Sequence, residues 1–101
     1  MSDVFERAEK LIQERHLKLD NISSEIKRTE VVLKKLAGPF YTMEIDNFSL
    51  YWSSSSKRIF LENENLESRP FIECKAETRI KYFPYLKKFL EKYLDILNEG
   101  E

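Results

Sequence analysis

The stretch YWSSSSKR, residues 51–58, sets an aromatic pair, four serines and two cations side by side. Hydroxyls, a lysine ammonium and an arginine guanidinium all donate to phosphate oxygens, and an aromatic ring stacks on a base. Trp52 or Tyr51 would supply the ring, Ser54 and Ser55 the hydroxyls, and Lys57 and Arg58 the charge. Arg69 and Arg79, with Lys75 and Lys81, follow closely enough to extend the patch. The plainer reading is a hairpin tip whose serines bond their own backbone. A basic, serine-rich loop is also an accessible phosphorylation target.

Other chemistry finds little to work with. His16 is the single histidine and Cys74 the single cysteine, and they fall in different elements, so neither a zinc spacing nor a Cys–His nucleophile pair is expected. Two glycines cannot build a phosphate-cradling loop. Glu44, Asp46, Glu62 and Glu73 lie on or beside strands, where carboxylates without apolar enclosure are solvated surface. The expectation is a protein that is not an enzyme and uses no metal or cofactor.

These groups must be positioned by 101 residues, enough for one small domain with a helical extension. Seventeen Lys and Arg against eighteen Asp and Glu leave a net charge of −1. No domain-wide field is present to attract nucleic acid, so such binding would need a local patch. One cysteine rules out an intramolecular disulfide and suits a reducing compartment. The start, MSDVFERAEK, lacks an apolar signal core, and no apolar run is long enough to span a bilayer. A cytoplasmic location without membrane attachment is expected.

Residues 3–37 contain no proline or glycine until Gly38-Pro39, and they read as one long helix. Phe5, Ile12, Leu19, Ile26 and Leu33 recur every seven residues. Ala8, Arg15, Ile22, Thr29 and Leu36 follow each of them by three. The two sets are the a and d positions of five heptads, widened by Val4, Leu11 and Val32 at g. The pattern predicts a coiled coil between chains, with Phe5, Ile12, Leu19, Ile22, Ile26, Leu33 and Leu36 as its seam. The competing arrangement lays the helix flat on its own sheet.

After Gly38 the apolar period becomes two. Tyr41, Met43 and Ile45 share a face, as do Phe48, Leu50 and Trp52, and then Ile59 and Leu61. Asp46-Asn47 is a turn, residues 62–68 a polar loop, and RPFIEC, residues 69–74, a short strand that Pro70 confines to an edge. From Ala76 the helical period returns, interrupted at Pro84. The fold class is therefore α+β: a long N-terminal helix, an antiparallel meander of three to four strands, and a C-terminal amphipathic helix kinked or broken at Pro84. The expected organisation is an oligomerisation segment over 1–37 and a small α+β domain over 38–101.

Together these features predict a non-enzymatic accessory protein that self-associates as a dimer or higher even oligomer. Its body would meet a partner protein as an adaptor or inhibitor does. The alternative is a small nucleic-acid- or nucleotide-binding protein that uses the Trp/Ser/Lys/Arg hairpin loop.

Overall fold

The computed structural model describes residues 3–99. Helix α1 spans Asp3–Leu36. Strands β1 (Tyr41–Ile45), β2 (Phe48–Ser53), β3 (Arg58–Glu62) and β4 (Ser68–Pro70) follow. A 3-10 turn over Phe71–Glu73 leads to α2 (Ala76–Tyr82) and α3 (Pro84–Glu99). The α+β class and the order of elements are those the sequence predicts. The strands pair in chain order, each antiparallel to the next.

Register puts one apolar face together. Met43 stands opposite Leu50 and Tyr41 opposite Trp52. Leu50 stands opposite Leu61 and Trp52 opposite Ile59. Helices cover this face from two sides. On one side α1 lays Ile22, Ile26, Thr29 and Leu33 into the core. On the other, α3 contributes Leu86, Phe89 and Tyr93, with Tyr41 of β1 packed 5.2 Å from the Phe89 ring and 5.5 Å from the Tyr93 ring. Tyr82 of α2 closes the gap, its ring 4.9 Å from Phe48.

The long helix thus divides its seam. Ile22, Ile26 and Leu33, expected between chains, are buried in the chain's own core. The expected boundary at residues 37 and 38 accordingly cuts through one continuous core, because the second half of α1 belongs to the α+β body. Thr29 interrupts the apolar seam at little cost, since its hydroxyl donates to the Glu25 carbonyl at 2.7 Å. Residues 3–18 are all exposed and extend beyond the body as an arm. The molecule measures 63 × 29 × 21 Å for this reason.

One local expectation is corrected. The strand expected over residues 69–74 is limited to Ser68–Pro70, on the sheet's edge. Pro70 offers no N–H to continue the ladder, and the chain turns so that Phe71 enters the core. The helix stops just before Gly38-Pro39 as the sequence predicts, and Ala37, with φ 52°, is the left-handed residue that ends it. Gly38 serves close approach, because a Cβ there would overlap the Tyr93 hydroxyl. That hydroxyl donates to the Pro39 carbonyl at 2.8 Å and ties α3 to the start of the sheet. Pro84 opens α3, where a missing N–H is harmless. Phe83 before it keeps helical angles, so α2 and α3 meet with little unwinding.

Gly38→Ala is expected to destabilise the fold by about 1–3 kcal/mol through overpacking. In a Tyr93→Phe background the same change should cost less, since the hydroxyl it meets is gone. Urea denaturation of the four proteins in this cycle measures the coupling; equal costs in both backgrounds would refute the contact.

Candidate interaction surfaces

Three surfaces are left over once the core is built. The first is the arm. Val4, Phe5, Leu11 and Ile12 are more than half exposed, with Phe5 at 75% and Ile12 at 53%. They continue the side of α1 that Ile22 and Ile26 bury further along. Leu19 is half-buried at the arm's root, and Leu36 is exposed at the far end of the helix. A shallow cleft at the root is lined by His16, Leu19, Asp20, Ser23 and Arg79. Arg79 donates to the Ser23 hydroxyl at 2.8 Å, and its Nε is buried without a partner.

The second is the hairpin tip. Ser53 pairs with Arg58, so residues 54–57 form the loop, closed by the Lys57 N–H donating to the Ser53 carbonyl at 2.8 Å. Lys57 adopts a left-handed φ of 59°. The Ser53 hydroxyl oxygen accepts from the Ser56 hydroxyl at 2.7 Å and from the Ser56 N–H at 3.3 Å, and it lies 3.1 Å from the Ser55 hydroxyl. Much of the loop's hydroxyl chemistry is spent holding its own shape, which is the ST-turn reading.

The predicted phosphate contacts are dispersed. Trp52 is 1% exposed, beneath the helices, and offers no ring to a ligand. Ser54, Ser55 and Lys57 are exposed at the tip. Arg58 reaches the Glu73 carboxylate at 2.9 Å. Arg69 lines a separate cleft of about 320 Å³ with Phe48, Glu67, Cys74 and Lys75. Arg79 belongs to the arm's root. Burial pushes the Cys74 thiol pKa up, with Arg69 and Arg79 opposing, and the thiol lies 3.5 Å from the Pro70 carbonyl. Among the described residues no group of three or more His, Cys, Asp or Glu stands where it could hold a metal ion. No described helix is long and apolar enough to cross a membrane.

The third surface is the outer face of the sheet, which the reading by strands did not single out. Tyr51 and Phe60 are directly opposed across β2 and β3, with rings stacked 5.2 Å apart and 10° from parallel. Phe40 lies 5.6 Å from Tyr51, and Pro70 is the register partner of Phe60. The stripe crosses the whole sheet. The alternation in RIFLE gives Phe60 to this face, but only the hairpin's register brings it to Tyr51.

One partly buried polar contact fixes the sheet to α1. The Ile59 N–H, beyond the point where β4 ends, donates to the Glu30 carboxylate at 2.8 Å. Burial raises the Glu30 pKa above its ordinary 4.5, against the lowering effects of this bond, Arg58 and Lys27. A raised carboxyl pKa in the fold means that stability is greatest with the group protonated and is lost as pH rises through the folded value. Glu30→Gln keeps an acceptor and removes that dependence. Relative to the parent, it should gain stability as pH rises above the ordinary 4.5 in denaturant titrations. Glu30→Ala leaves the Ile59 N–H without its acceptor and should cost about 1–3 kcal/mol. A pH-independent difference between parent and Gln variant would overturn the assignment.

Neither a family model, nor a curated protein, nor a solved structure matches this chain, so what these surfaces do rests on their own chemistry.

Proposed function

We propose that the protein is a non-enzymatic, self-associating interaction module. The arm joins copies of the chain, and the α+β body meets a partner protein in the manner of an adaptor or inhibitor. The observation that carries this reading is the exposed stripe of Val4, Phe5, Leu11 and Ile12 on a helix that has left its own core behind. Apolar residues at heptad spacing on a projecting helix gain stability when a second helix covers them. The outer sheet face, with Phe40, Tyr51 and Phe60, is the body's surface for the partner; aromatic side chains are favoured anchors at protein interfaces.

A nucleic-acid or nucleotide site at the hairpin tip has weaker support. Its indole is buried, Arg58 is paired, and Arg79 is engaged with Ser23 of α1.

Light scattering after size exclusion should give at least a dimer for the parent chain at tens of micromolar. Phe5→Lys and Ile12→Asp should each weaken association by more than tenfold. Both positions are exposed, so thermal unfolding of the dilute protein should hardly change. A monomeric parent at that concentration rejects the proposal.

A further inference from the structure

The same side of α1 is used twice, and this restricts how two arms can meet. From Ile22 onward that side is occupied by the chain's own sheet, with Ile22, Ile26 and Leu33 buried. Two helices running parallel would face each other through their a and d positions. Each body would then lie where the other body must be, from the arm's root onward. An antiparallel pair has no such conflict, because each body sits at the opposite end of the partner's arm.

Charge along the arm points the same way. Residues 3–9 carry Asp3, Glu6 and Glu9 against one cation, Arg7. The stretch nearer the body carries Lys10, Arg15 and Lys18 against one anion, Glu14. Antiparallel arms set acidic against basic at both ends, whereas parallel arms set like against like.

We infer that the arms of two copies pair antiparallel, the acidic first turn of each reaching the basic root of the other. This rests on the reading that the arm self-associates. In the register that overlaps both exposed stripes, Phe5 of one copy faces Arg15 of the other, and Ala8 faces Ile12. Arg15, which breaks the apolar seam, then lays its aliphatic stem and guanidinium on a phenyl ring. In a parallel pair it would oppose its own copy. The cleft of His16, Leu19, Asp20, Ser23 and Arg79 lies at the root where the second copy's first turn arrives. Arg79 of α2 borders this cleft and limits how far the incoming helix can run, which fixes the register.

Spin labels on Asn21→Cys, at an exposed position by the root, separate the two geometries. Cys74 is buried, and the parent chain treated with the same label supplies the background. Antiparallel arms centred near residue 10 place the labels roughly 30 Å apart along the helix axis, at 1.5 Å per residue. Parallel arms would hold them at little more than the interaxial distance of about 10 Å. The dimer dissociation constant should also rise several-fold as salt screens the paired charges. A dimer with the short distance, or one whose dissociation constant stays level or falls with salt, overturns the antiparallel assignment and leaves self-association standing. A monomer overturns both.

Discussion

The apolar face of the sheet must be covered, and its cover is half of a helix that is longer than the sheet is wide. Leu50, Trp52 and Ile59 stand at the centre of that face and are almost wholly removed from water. A four-stranded meander with such a face is not stable alone. The second half of α1 and the whole of α3 share the task, so elements at opposite ends of the chain depend on one another. The first half of α1 has no share in it. Its helical geometry is carried by propensity and by continuity with the buried half.

Polar contacts place the helices after the apolar residues have drawn them in. Glu30 holds α1 to β3, Arg79 holds α2 to α1 through Ser23, and Tyr93 holds α3 to the backbone at Pro39. Each uses a side chain long enough to reach across the layer. Glu30 and Tyr93 have their pKa values raised chiefly by burial, which records that each is held where water is scarce. The helices are therefore fixed in register as well as in contact.

Much of this was legible in the sequence because periodicity reports which side of an element is apolar. The period of seven in α1 and the period of two in β1 to β3 both correspond to faces that exist. Periodicity does not say what covers a face. Phe5 and Ile26 occupy equivalent heptad positions, yet one is solvated and the other buried, since only the second lies above the sheet. Trp52 was ambiguous for a similar reason. Its neighbours Ser53 and Ser54 suggested a surface loop, while its parity with Leu50 placed it inside, and parity decided. The Tyr51–Phe60 pair depended on hairpin register, and the role of Gly38 on a side chain from a distant helix, neither of which a local pattern encodes. The proposed phosphate patch joined residues by nearness in sequence, and the fold separated them among the core, the hairpin tip, the Arg69 cleft and the arm's root.

The unbroken course of α1 has one more consequence. No glycine or proline lies between Asp3 and Leu36, so the arm and the body form a single rod without a joint. Rotation is then coupled to length. Each residue added or removed between Ile12 and Ile22 turns the arm by about 100° about its axis while moving it only about 1.5 Å. One deletion would swing Phe5 and Ile12 away from the side that Ile22 and Ile26 define, with composition and charge barely altered. Seven inserted residues would restore the phase to within about 20° and lengthen the reach by about 10 Å. The segment between Ile12 and Ile22 acts as a ruler, and homologous chains should differ there in steps of a heptad or not at all.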